Sequence, residues 1–189
     1  MQGGLIERAR PTATQRWDGD GHAALVRTIV AQQISTAAAR AIHGRLMARF
    51  GGRSPTPEEV LAADPDELRA ACGLSRAKVC AMRSLAERLL GGELALERLA
   101  ALGDEDVIRE LTAVRGLGVW SAQMFLMLHL RRGDVLPVGD LGIRRAVAIA
   151  YGLGQLPSPA QLEAIARPWR PHRTLACLFL WDLVDGAPA

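Results

Sequence analysis

Helix punctuation constrains this chain more than any other feature. Apolar residues recur at helical spacing almost from end to end, and no run of strict alternation reads as a strand. Start and stop signals divide the pattern. Residues 23–31 read as a first helix, and Ser35 caps a second that runs to Phe50 and stops at Gly51-Gly52. Thr56-Pro57-Glu58-Glu59 supplies a capping threonine, a first-turn proline and a glutamate three residues on, and Asp64-Pro65-Asp66-Glu67 repeats the device. Ser75 caps a helix to Leu90, a short helix is expected at 93–99, and Asp104 is expected to cap a helix to Val114. Residues 120–130 form a strongly apolar helix, Asp140 starts the next, Ser158 caps another, and the last spans 172–185. The expected architecture is all-α, with two helical lobes and a cleft between them. A polar arm (1–20) precedes a middle lobe of about 24–130, with a hairpin at 113–119, and a second lobe mainly at 137–189.

At 189 residues and 49% hydrophobic content the chain can bury a core and is not disordered. It has no apolar stretch long enough to span a bilayer, and its first twenty residues lack the apolar core of a signal peptide. A soluble, cytoplasmic protein is expected, with no membrane partner. Three cysteines with no close pair argue against a disulfide framework or a zinc site. The net charge of +3 permits a polyanionic partner without requiring one, and Lys78 is the only lysine.

Two segments carry chemistry. In Leu111-Thr-Ala-Val-Arg-Gly-Leu-Gly-Val-Trp-Ser-Ala122 a glycine hairpin joins two helical segments. The amides of Gly116, Gly118 and Val119, at the start of the following helix, suit a phosphate oxygen, with Leu117 plugged into the core. An ordinary helix–helix turn also fits a bare Gly-x-Gly; the longer string favours the phosphate reading. In Pro137-Val-Gly-Asp-Leu-Gly-Ile-Arg-Arg-Ala146, Asp140 opens a helix, either as a plain cap or as an acid placed in a cleft.

Together these two segments resemble the helix-hairpin-helix (HhH-GPD) DNA glycosylases, and most of all the 3-methyladenine DNA glycosylase II type. Ile29-Val-Ala-Gln-Gln-Ile-Ser35, Gly73-Leu-Ser-Arg-Ala-Lys78, and Trp169-Arg-Pro-His-Arg173 through Trp181 resemble further segments of that family in order and spacing. The resemblance covers the chain from about residue 22. It implies an enzyme that flips a damaged base out of duplex DNA and hydrolyses its N-glycosidic bond. Asp140 would stabilise the oxocarbenium-like sugar, and the hairpin amides would hold a backbone phosphate. Gln33, with Gln32 beside it, occupies the position that fills the gap left in the duplex. Trp120 stands where relatives that also cut the strand carry a lysine nucleophile, so the resemblance implies no lyase activity. Trp120 and Trp181 would offer aromatic faces to an electron-deficient base, against the plain alternative that both are core. Met124 completes the implied pocket, where better-known members carry tyrosine; Gln33 replaces their leucine wedge.

No cofactor is implied. Three cysteines cannot build the four-cysteine iron–sulfur site of some relatives, and the N-terminal α/β lobe of longer members is missing from this sequence. A monovalent cation, sodium or potassium, would sit on the main-chain carbonyls of Thr112, Val114 and Leu117 by analogy. His22, His43, His129 and His172 form no ligand spacing and read as surface or satisfied histidines. Arg144, Arg145, His172 and Arg173 are weak candidates for DNA contact. The expected substrates are 3-methyladenine and, beyond it, 7-methylguanine, 1-methyladenine or ethenoadenine, with a monomer acting on duplex DNA. Excision of deaminated, oxidised or mismatched bases, and a non-catalytic DNA-binding module, are the rival readings.

Overall fold

Each helix begins where the chain supplies an acceptor for its first free amides. The computed structural model describes residues 20–184, so all but the last residue of the arm expected at 1–20, and residues 185–189, lie outside it. Among the described residues the structure is all-helical, and it divides after Leu130 into two compact units.

In the unit ending at Leu130, α1 (Gly21–Ala31) is the central helix. Leu25, Val26, Ile29 and Val30 are fully buried along it, and α2 (Thr36–Arg49), α5 (Arg76–Leu90) and α8 (Val119–Met124) pack on it. Asp20 accepts from Ala23 N at 2.7 Å, so α1 starts two residues earlier than its apolar pattern indicated. Ser35, Thr56, Asp64 and Ser75 cap α2, α3 (Pro57–Ala62), α4 (Pro65–Cys72) and α5 as their sequences require. Thr56 and Glu59 form a reciprocal capping box.

Three expectations are corrected. The segment at 93–99 is helical only over α6 (Leu96–Leu99), because Glu93 N and Leu94 N are tied back to Arg88 O in the turn that ends α5. Gly103, not Asp104, caps α7 (Asp104–Thr112); Asp104 is a first-turn acid that favours the helix dipole instead. The apolar helix after the hairpin is not uniform. It widens after α8 into a π-helical turn, Phe125–His129, in which Leu130 N reaches Phe125 O at 2.9 Å.

The early start of α1 also turns His22 inward. It is buried, its Nε2 has no hydrogen-bond partner, and burial lowers its pKa against the raising effect of Asp20 and Glu58. It is therefore neither a surface nor a satisfied histidine. Burial likewise lowers His43. A histidine with a depressed folded pKa binds its proton more readily unfolded, so stability is full above the unfolded value of 6.5 and falls as pH drops below it. The carboxyls held down by partners, Glu59 at about 2 beside Arg53 and Asp134 beside Arg173, lose their contribution only in a more acidic window, below the ordinary carboxyl value. The melting temperature should thus decline between pH 6.5 and 5, and His22→Leu should make that decline shallower. An unchanged slope in the variant would clear His22 of this role.

In the second unit α9 (Leu141–Ala150) packs against α11 (Arg173–Val184), and α10 (Pro159–Ala166), with its Ser158–Gln161 capping box, leads into a 3-10 turn at Arg167–Trp169. The turn at residues 131–134 is fastened to the start of α11: Thr174 N donates to Gly133 O at 3.1 Å, and Thr174 Oγ1 to Arg132 O at 2.6 Å. Among the described residues no helix is long and apolar enough to cross a membrane.

Candidate active site and nucleic-acid interface

The hairpin between α7 and α8 is held on three sides. Gly116 adopts φ +90°, and a Cβ there would lie 2.5 Å from the Cβ of Ala81 on α5, so only glycine allows this approach. Leu117 is buried, and its N–H donates to Val114 O at 3.1 Å. Arg88 on α5 donates to Ala113 O. On the outer side Gly118 is extended, with nothing within 4 Å of where its Cβ would be, and Val119 is 53% exposed. The first amides of a helix lack an acceptor inside that helix, and this position suits an anion.

Gln32 lies at the end of α1 and is not a free contact residue. Its side-chain amide donates to Gly116 O and to Ser121 Oγ, both at 2.9 Å, and so ties the α1–α2 turn to the hairpin. Gln33 follows at the tip of that turn, exposed, with φ +57°. A left-handed glutamine is a conformation of measurable cost, found where the surroundings impose it. Beneath the turn the buried Lys78 donates from Nζ to Val30 O at 2.8 Å, at the negative end of α1, and burial lowers its pKa.

Trp120 is half-buried and packs on Ala31 and Ala39, beside the same turn. Met124 is 0% exposed, so it is a core residue and not a pocket surface; the helix turns its side chain inward, against the expectation. Thr112 ends α7, and Val114 and Leu117 lie in the hairpin that follows. No described backbone amide donates to Thr112 O or Leu117 O, while Val114 O accepts one bond and keeps a lone pair. That donor set suits a hard cation.

In the second unit Asp140 is 9% exposed and caps α9, with Oδ1 accepting from Ile143 N at 2.8 Å. The same oxygen accepts from Trp181 Nε1 on α11 at 3.0 Å. Trp181 is 3% exposed, so it is not an open aromatic face; its indole edge is used to hold the carboxylate. Two further residues belong to this arrangement and escaped the sequence reading. A Cβ on Gly142 would stand 3.1 Å from Asp140 Oδ1 and 3.3 Å from Trp181 Cδ1, so any side chain there would press on both partners of the bond between acid and indole. The buried Cys177 thiol is pushed up to about 12, first by burial and then by the Asp140 charge. An unexplained glycine in the first turn of a helix was the available signal.

The weaker arginine candidates divide. Arg144 donates to Pro157 O at 2.8 Å, and Arg173 makes paired bonds to Asp134 (Nε to Oδ1 at 2.6 Å, Nη2 to Oδ2 at 2.8 Å); both are structural. Arg145 and His172 are exposed.

A glycine hairpin between two helices and a buried acid held at a helix start both lie in the stretch that comparison with known proteins matches. Residues 26–171 match the HhH-GPD superfamily of base excision DNA repair proteins, and the chain belongs to that family. The chain is 34% identical to DNA-3-methyladenine glycosylase 1 of Schizosaccharomyces pombe over 83% of its own length and 69% of that protein. It is 29% identical to DNA-3-methyladenine glycosylase 2 of Escherichia coli over 94% of itself and 63% of that protein. The Schizosaccharomyces pombe 3-methyladenine DNA glycosylase solved in complex with abasic DNA superposes with a TM-score of 0.84 at 31% identity, covering 93% of this chain and 84% of that one.

Proposed function

We propose that the chain, acting as a monomer, excises alkylated bases, chiefly N3-methylpurines, from duplex DNA by hydrolysing the N-glycosidic bond. The observation that carries this reading is the buried Asp140 carboxylate, fixed by Ile143 N–H and Trp181 Nε1. A base inside a duplex cannot be reached, so the nucleotide must leave the stack. The open amides after Gly118 hold a strand phosphate without reading sequence. Gln33, pre-set at the tip of its turn, fills the vacated space and can hydrogen-bond the orphaned partner base. Trp120 offers the aromatic face, which attracts a cationic alkylated purine. As the glycosidic bond breaks, positive charge grows on the sugar, and Asp140 stabilises it most effectively where water is scarce. An alkylated purine is already a good leaving group, so no strong acid is needed on the base, and no cofactor supplies one.

The absence of lyase chemistry rests on the amines. Position 120 holds tryptophan, and the only lysine is buried against Val30 O. Sodium or potassium on the carbonyls of Thr112, Val114 and Leu117 would add positive charge beside the phosphate.

Free base released from methylated duplex DNA tests this directly. The protein should liberate 3-methyladenine and leave an intact abasic strand, and borohydride should trap no covalent adduct. A trapped adduct would overturn the monofunctional assignment. Tight binding without base release would reduce the chain to a binding module for these lesions.

A further inference from the structure

Charge is unevenly divided along the chain. Residues 20–130 contain thirteen basic and thirteen acidic side chains, whereas residues 131–184 contain seven arginines and four acids, so the surplus of +3 lies wholly in the second unit. Part of that surplus is gathered by the fold. The turn at 131–134 and the segment 167–173 are far apart in sequence, but Thr174 bonds both Gly133 O and Arg132 O, and Arg173 clamps Asp134. The turn that begins at Arg131 is thus fastened to the start of α11, and Arg170 reaches the Asp134 of that same turn.

Asp134 does not neutralise this charge. One carboxylate there faces two guanidinium groups: Arg173, whose side chain is only 14% exposed, makes paired bonds to it, and Arg170, 59% exposed, forms a looser ion pair at 3.8 Å, so positive charge remains in excess. Arg131 is also exposed and is held at φ +59°, an uncommon conformation for a non-glycine residue. His172, just before α11, is exposed. Like charges held together cost free energy unless a polyanion meets them.

We infer that Arg131 and Arg170 form a second phosphate-binding surface, separate from the hairpin, that grips the DNA backbone away from the damaged nucleotide. This inference rests on the DNA reading proposed above. The position follows from α11. Trp181, which holds Asp140, lies eight residues beyond Arg173, or about 12 Å along the helix axis. At about 3.4 Å per nucleotide, a strand running along the axis of α11 would bring phosphates roughly three or four nucleotides from the sugar at Asp140 to these arginines. The contact carries no sequence information and contributes to affinity in a salt-dependent way.

The test compares wild type with Arg131→Gln/Arg170→Gln and with Arg131→Lys/Arg170→Lys on duplex DNA bearing an abasic site, over a range of salt. The glutamine pair should bind about tenfold more weakly at moderate salt, with a log–log salt slope shallower by about two. Its single-turnover base release at saturating enzyme should be unchanged, and the lysine pair should recover most of the affinity. Equal affinity and slope in wild type and glutamine pair would overturn this surface while leaving the proposed function standing. Wild type with no salt-dependent affinity for DNA would overturn both. Loss of affinity in the lysine pair as severe as in the glutamine pair would also count against a phosphate contact, since charge is what such a contact needs.

Discussion

Asp140→Asn should reduce base release by about 10³-fold while the protein still folds and still binds abasic DNA within about threefold of wild type. The reason lies in how Asp140 is held. One oxygen, Oδ1, accepts from both Ile143 N and Trp181 Nε1. Asparagine keeps an oxygen there and is an equally good helix cap, so α9 keeps its start. What disappears is the negative charge that the proposed mechanism sets against the developing oxocarbenium ion. Single-turnover release from methylated duplex, read beside a binding titration and a thermal melt, separates the two roles. If affinity and melting temperature fall together with release, Asp140 is a structural cap. Trp181→Phe should fall between the two, losing about tenfold in release, because the carboxylate remains but one of its orienting donors is gone. Wild-type rates in that variant would remove Trp181 from the positioning of the acid.

The helices were legible because their signals are local. Thr56, Asp64, Ser75 and Ser158 each cap amides two or three residues away, and a short sequence window contains both partners. Asp140 was legible for the same reason, as a residue opening a helix. What it touches was not. Its bond to Trp181 spans 41 residues, and the Gln32 bond to Gly116 spans 84, so neither leaves a trace in periodicity. A glutamine in an exposed turn and a tryptophan in an apolar helix each fit contact with DNA or base as well as they fit a contact within the protein. Packing decided the matter: Gln32 reaches the hairpin, and Trp181 is buried against the acid. Met124 shows the converse limit. Its place after Trp120 aligned it with a pocket residue, but α8 turns its side chain into the core.

The two hairpin glycines should separate folding from binding, and Gly116→Ala should be the most destabilising single methyl addition among those considered. The residue sits at φ +90°, where an L side chain is strained by roughly 1–3 kcal/mol, and its new Cβ would meet Ala81 Cβ at 2.5 Å and Ala81 Cα at 3.2 Å. Overpacking of that kind adds about 1–3 kcal/mol. For a chain of this length each kcal/mol lowers the melting temperature by about 2–4 °C, so a fall of about 10 °C is expected. Gly118→Ala adds the same methyl group two residues later, at φ −105° and into open space. Its melting temperature should stay within about 2 °C of wild type. Its affinity for duplex DNA should nonetheless fall about tenfold, alike for damaged and undamaged strands, because on the proposed reading the methyl group stands where a phosphate approaches the amides of α8. Unchanged affinity in Gly118→Ala would take the hairpin out of the interface. An unchanged melt in Gly116→Ala would mean that the α5 contact yields more easily than its geometry implies. Ala81→Gly in the Gly116→Ala background removes one of the two clashing methyl groups and should restore part of the loss, in a non-additive way that neither change shows alone. The φ strain would remain, so full recovery would show that the contact with Ala81, and not the backbone conformation, had fixed glycine at 116.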